Sequence, residues 1–253
     1  MTTAVAPAPA KARSKSAEMK RYGFFPGCVA KESCTELFHS TMLLADKLGI
    51  ELIELTAASC CGASVLNDVN RDVARVLNAR TYAQAEELGL DDVITICSTC
   101  TGHMRAANKE LLEDANRMEQ ANAILGKFNT TYNGSVSVRH LLWLLIDDIG
   151  LDQLRSMVVN PLNGLKVAPF YGCHIIRPES VNGWESARNP HSLEDLIEAL
   201  AAKRSTTPAR RAAAASTCSS KRTASPRTWS ARTCAWPKTR APKPCLRHVH
   251  SAT

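Results

Sequence analysis

At 253 residues the chain can fill one large domain or two modest ones, and its 45% hydrophobic content supplies a core, which excludes a protein disordered throughout. The formal charge of +7 averages unlike parts: residues 201–253 hold four Lys, eight Arg and no acid, which leaves residues 1–200 at −5, the wrong sign for a nucleic-acid-binding body. No run reaches the roughly 18–20 apolar residues of a transmembrane segment; the best, His140 to Ile146, stops at Asp147 and Asp148 and reads as a buried helix or a patch for peripheral contact with a partner or membrane surface.

In chain order, residues 1–20 are rich in Ala, Pro, Lys and Ser, lack the apolar centre of an export signal, and read as a disordered leader. Ten cysteines without such a signal point to a cytoplasmic, reducing compartment and to metal or redox use. Arg21 to Cys28 reads as a strand, and Glu32 to Leu48 as a helix ended by Gly49. Ile50 to Leu55 is a second strand running into Cys60 and Cys61, followed by a helix from Val69 to Leu88. Asp92 to Ile96 is a third strand ending on Cys97, Thr101 to Leu125 a long helix, and Phe128 to Ser137 a loop turning at Asn133-Gly134. Leu165 to Tyr171 is a strand delivering Cys173, and Ser192 to Leu200 a helix with Ser192 and Asp195 as a capping box. Alternating strands and helices predict an α/β fold built on a mostly parallel sheet.

Each strand of the first part ends at or just before a cysteine element, and ligands of open α/β sheets sit beyond the carboxyl ends of the strands, so the three elements are predicted to converge. Adjacent cysteines pair poorly with each other, and a reducing compartment has little use for disulfides, which leaves soft-metal ligation. A lone Cys-x-x-Cys would serve a zinc half-site or a redox pair, but neither needs Cys60-Cys61. Gly62 reads as a residue that lets backbone approach the metal centre closely. Cys34 reads as a buried structural thiol, and Lys31 and Arg105 as charges that offset those of the site. His103 and His174 read as capping or solvated residues, with proton donation or a hydrogen bond to sulfur as the functional alternative, and His140 as structural.

A cysteine, 31 residues, Cys-Cys-Gly, 34 residues and Cys-x-x-Cys resembles the cysteine-rich CCG domain, found twice in the B-type subunit of heterodisulfide reductase and in cysteine-rich subunits of some succinate dehydrogenases and fumarate reductases. The resemblance covers roughly residues 20 to 200. It implies a non-cubane [4Fe-4S] cluster held by Cys28, Cys60, Cys61, Cys97 and Cys100, and partners that are other subunits of a heterodisulfide-reductase-like or succinate dehydrogenase-like complex. It also implies an oxidoreductase subunit passing electrons to or from a disulfide, sulfur or quinone-level acceptor. The alternatives are a non-catalytic electron-transfer or assembly subunit, and an inactive truncated product.

The chain divides on this reading into a leader (1–20), a first CCG domain (21–135), the start of a second (136–200) and a basic tail (201–253). Phe24-Phe25-Pro26-Gly27-Cys28 is echoed by Pro169-Phe170-Tyr171-Gly172-Cys173, which makes Cys173 the remnant of an incomplete second cluster site. From Lys203 onward the chain lacks Asp, Glu, Gly, Ile, Phe and Tyr, a composition that suggests a GC-rich gene read out of frame. Back-translated one base out of register, with third bases free, Ala213 to Ser219 spells Cys-Cys-Gly-Phe-His-Leu-Leu, and Pro244 to Ala252 spells Met-Phe-Thr-Pro-Cys-Pro-Leu-Cys. A slip near residues 200–203 makes Cys218, Cys234 and Cys245 accidental, predicts a disordered tail, and leaves the Leu141–Ile146 helix and the Leu165–Phe170 strand facing solvent.

Overall fold

The computed structural model describes residues 19–63 and 65–204, so the leader before residue 19 and the tail from residue 205 lie outside the described residues. Four parallel strands form the main sheet: β1 (Arg21–Phe25), β2 (Glu51–Glu54), β3 (Asp92–Thr95) and β4 (Ser137–His140), in the order β2-β1-β3-β4. The chain leaves β1 toward one side for β2 and returns across it to β3, so the connections reverse direction between β1 and β3. That reversal opens a crevice at the carboxyl ends of those two strands.

Alternation in the inner strands feeds two cores. Tyr22 and Phe24 of β1 and Ile94 of β3 pack with Ala45, Ile50, Leu52 and Leu144 on one face; Phe25 and Val93 pack with Tyr82, Met104, Leu111 and Tyr132 on the other. The first face is covered by α1 (Cys28–Glu32), α2 (Thr35–Leu48) and α7 (Leu141–Leu144), the second by α4 (Arg71–Glu87), α5 (Ser98–Glu113) and α6 (Ala115–Leu125). The α/β fold with a parallel sheet is as the sequence predicts.

Three helices expected to be continuous are broken, the second and third at a residue whose side chain caps the next segment. The first breaks at Ser33-Cys34 between α1 and α2. The second breaks at Asn70, whose side chain accepts from the Val73 N–H at 3.1 Å, between α3 (Val65–Val69) and α4. The third breaks at Asp114, which accepts from the N–H groups of Asn116 and Arg117 at the start of α6. The fourth strand is an addition that carries the first sheet past residue 135. Arg139 on β4 ties its end down through Asp148, which also accepts from the Tyr22 hydroxyl at 2.7 Å.

The second part begins as α7, continues in a π-helical turn (Leu145–Ile149) and α8 (Leu151–Met157), and includes α9 (Glu179–Asn182) and α10 (Ser192–Ala199). The predicted strand Leu165 to Tyr171 shrinks to β5 (Lys166–Val167), paired in parallel with β6 (Lys203–Arg204). Leu142, Trp143, Leu144 and Leu145 are buried, so the solvent-facing helix expected there is corrected, whereas Leu165 and Phe170 are indeed exposed. The capping box is also corrected: Ser192 hydrogen-bonds Glu185 at 2.6 Å, and Asp195 bonds the His191 ring.

Candidate metal centre

Beyond the strand ends, the three cysteine elements meet. Cys28 opens α1 three residues after β1, Cys60 and Cys61 lie in the loop after β2, and Cys97 sits at the head of α5 just after β3. Because α5 begins at Ser98, before the position predicted, Cys100 lies inside its first turn, and the N–H groups of Thr99 and Cys100 point at the Cys97 sulfur. Thr101 donates both its N–H (2.9 Å) and its hydroxyl (3.0 Å) to the Cys97 carbonyl and fixes this turn.

The inner thiols touch. Cys61 and Cys100 are buried with their sulfurs 3.4 Å apart, and Cys97 is half-buried beside Cys100. Hydrogen bonding with Cys100 draws Cys97 down to about 5 and Cys61 down to about 7, with backbone N–H groups adding to both, so Cys97 is a thiolate and Cys61 about half ionised at neutral pH. Cys100 is pushed up by its hydrogen bonding with Cys61 and Cys97, by burial and by the charge of those two neighbours. At Cys60 a backbone hydrogen bond from Gly62 favours the thiolate, but burial and the sulfurs of Cys61 and Cys28 outweigh it and raise the pKa. Cys28 and Cys60 are the exposed members, on a cleft of ≈ 270 Å³ that they line with Gly27, Lys31, Glu54 and Ser59.

The surroundings are built tightly. A Cβ on Gly27, whose φ is +79°, would come within 3.2 Å of the Cys100 sulfur, so only glycine fits this approach of backbone to thiol. Gly62, whose backbone hydrogen-bonds the Cys60 sulfur, has a packing role besides: its φ of +75° turns the chain, and a Cβ there would meet Ala74 of α4 at 3.0 Å. Asn78, unflagged in the sequence, donates to the carbonyls of Cys61 (2.9 Å) and Ala74 (2.8 Å) and pins the same loop. The buried Ser59 hydroxyl, next to Cys60, has no hydrogen-bond partner among the described residues.

Other sequence-predicted residues land elsewhere. Cys34 is exposed at the break before α2, which corrects its reading as a buried thiol. Lys31 is neutralised by Glu54 at 2.6 Å, whereas Arg105, donating to the carbonyls of Val138 and Val181 with its guanidinium over the Trp143 ring, keeps its charge. His140 caps α7, accepting from the Leu142 N–H at Nδ1, and burial pushes its pKa down to about 4. Cys173 is exposed and outside the five-thiol group. The rings of His103 and His174 lie 5.3 Å apart beside a cleft of ≈ 210 Å³ that reaches Cys61, and burial lowers the His103 pKa.

These thiols have the chemistry of an iron-sulfur site: sulfur-only donors, two with thiolate character, a helix N-terminus facing the anion, and an unpaired hydroxyl donor alongside. Among the described residues no three Cys, His, Asp or Glu side chains converge as ligands of a single ion would.

The fold and site define an α/β domain with a cysteine centre at its strand ends. Residues 22–105 match the family model of the CCG cysteine-rich domain. The chain is 43% identical over 184 residues to the 8-methylmenaquinol:fumarate reductase membrane anchor subunit of Wolinella succinogenes, covering 73% of this chain and 63% of that protein. It is 31% identical over 186 residues to the B-type subunit of the ferredoxin/F(420)H(2)-dependent CoB-CoM heterodisulfide reductase of Methanosarcina acetivorans, covering 73% and 61%. The chain thus spans less than two thirds of the length of these curated relatives. A solved structure of a hypothetical protein from Helicobacter pylori shares the fold, with a TM-score of 0.56 at 14% identity over 76% of this chain and 34% of that one. No helix among the described residues is long and apolar enough to cross a membrane.

Proposed function

We propose that the chain is an iron-sulfur oxidoreductase subunit of heterodisulfide-reductase-like type, in which Cys28, Cys60, Cys61, Cys97 and Cys100 hold one non-cubane [4Fe-4S] cluster. The observation that carries this reading is the meeting of five thiols from three strand ends, two of them drawn toward the thiolate. When bound, the cluster supplies one-electron redox chemistry to a disulfide, sulfur or quinone-level acceptor. The chain's own residues hold and tune it. Cys61 and Cys100 anchor from the buried side, the Thr99 and Cys100 N–H groups stabilise negative charge on Cys97, and Gly27 shields Cys100. Cys28 and Cys60 leave the opposite edge open to solvent, where an acceptor or partner subunit can approach.

A second reading, an electron-transfer or assembly subunit of a succinate dehydrogenase or fumarate reductase complex, is favoured by the 43% identity to a protein named as a fumarate reductase membrane anchor subunit. Assays of the reconstituted chain with a reduced dye as electron donor separate the two. Oxidation of the dye by a low-molecular-weight disulfide or a menaquinone analogue supports the first; a reconstituted chain that takes electrons from the dye and passes them to neither supports the second.

A further inference from the structure

Burial without a partner singles out one hydroxyl beside the thiols. Ser59 stands between β2 and Cys60, on the wall of the ≈ 270 Å³ cleft that also carries Cys28 and Cys60. Its Oγ is shut off from solvent and has no hydrogen-bond partner among the described residues. A buried hydroxyl left unpaired opposes folding, so its place calls for an acceptor that the chain itself does not supply. The groups around it are engaged elsewhere. The Glu54 carboxylate holds Lys31 at 2.6 Å, and the carbonyls of Glu54 and Leu55 accept from the N–H groups of Thr56 and Ala58, both at 3.0 Å. Glu32 and Thr56 are exposed on the rim, where water serves them. The side-chain atoms left along that wall that can take a proton donor are the sulfurs of Cys28 and Cys60, at the open edge of the site.

Three of the thiols are served by donors from within the chain. Cys97 receives hydrogen bonds from the N–H groups of Thr99 and Cys100 and from the Thr99 hydroxyl, Cys61 from the Ala63 backbone, and Cys60 from the Gly62 backbone. Ser59 is a further donor in the same loop, set next to a ligand and spent on none of them. We propose that the Ser59 hydroxyl donates a hydrogen bond to a sulfur of the iron-sulfur cluster on its Cys28 and Cys60 side, and so raises the reduction potential. The inference rests on the cluster reading above. It asks for no proton transfer: one electron, from a reduced dye or a redox partner, adds negative charge that the cluster sulfurs share, while the proton stays on Oγ. A hydrogen bond strengthens as its acceptor gains negative charge, so the hydroxyl stabilises the reduced form more than the oxidised one. Ser59 ligates no iron on this account; it sets how readily an electron is held at the edge open to an acceptor.

The test is a dye-mediated redox titration of the full reconstituted chain, read by electron paramagnetic resonance, in the parent and in Ser59→Ala, with iron and sulfide counted in both. Ser59→Ala is expected to keep the parent's iron and sulfide and to lower the equilibrium constant for one-electron reduction about tenfold, a shift of about 59 mV to lower potential. In the metal-free chain the same substitution should leave urea-derived stability unchanged or raised, since it removes an unpaired buried group. A variant cluster with the parent's potential or a higher one overturns the inference. So does a less stable metal-free variant, which would give the hydroxyl a partner inside the chain, and so does iron lost from the variant alone, which would assign Ser59 to holding the loop. A parent chain that takes up no iron and sulfide removes the cluster reading itself, and this inference with it.

Discussion

Substituting Gly102 by alanine separates local helix preference from tertiary packing by the sign of its effect. In a free helix the change stabilises by about 1 kcal/mol, because alanine loses less backbone entropy. Here a Cβ would stand 2.7 Å from the His174 carbonyl oxygen and 3.3 Å from its Cβ. The carbonyl cannot swing aside cheaply, because it accepts from Asn182 Nδ2 at 2.8 Å. Overpacking of this kind costs about 1–3 kcal/mol, so after the helix gain Gly102→Ala is expected to be net destabilising by about 1 kcal/mol, and by about 2 kcal/mol at most. It should also push the His174 segment off α5, widen the cleft beside Cys61, and speed alkylation of Cys173. Urea unfolding with the m-value monitored, paired with mass-spectrometric labelling rates, measures both. A variant as stable as the parent or more so, with unchanged Cys173 labelling, would refute the packing of the second part on α5.

His140 sets a pH dependence. Its folded pKa of about 4 lies below the ordinary 6.5, so the unfolded state takes up the proton first, and the His140 contribution to stability, complete above 6.5, falls away as pH drops toward 4. The loss is about 2–3 kcal/mol over that window, and His140→Asn, which keeps a cap but cannot titrate, should flatten the slope of urea-derived stability; parallel slopes would count against it. Arg105→Met removes both the guanidinium over Trp143 and the donors to the carbonyls of Val138 and Val181. It should cost about 2–3 kcal/mol in the same assay, and a loss under about 0.5 kcal/mol would show that water replaces the guanidinium.

The centre was legible because its placement follows from order along the chain. Strands ending at Cys28, Cys60 and Cys97 in a parallel sheet must deliver those residues to one edge, and no side-chain detail is needed to say so. The helix breaks were harder, since apolar spacing runs through them, although Asn70 and Asp114 are capping residue types and carried the signal. β4 was invisible for a physical reason: Ser137-Val138-Arg139-His140 holds one aliphatic residue, and its strand conformation comes from pairing with β3 and burial of Val138. Lys31 was misread because charge near a site in sequence says nothing of which partner it finds; Glu54 decides that. Asn78 and Ser59 look like ordinary polar residues until folding places them against the Cys-Cys-Gly loop and the Cys28 cleft.

The central claim is that five converging thiols hold one iron-sulfur cluster, and the most direct measurement is iron and acid-labile sulfide per chain in anaerobically purified or reconstituted protein. About four of each is predicted for the parent. Cys61→Ser, which removes a buried anchor, should abolish them, and Cys34→Ser should leave them unchanged. Stoichiometric zinc without sulfide, or iron and sulfide retained in full by Cys61→Ser, would contradict the account.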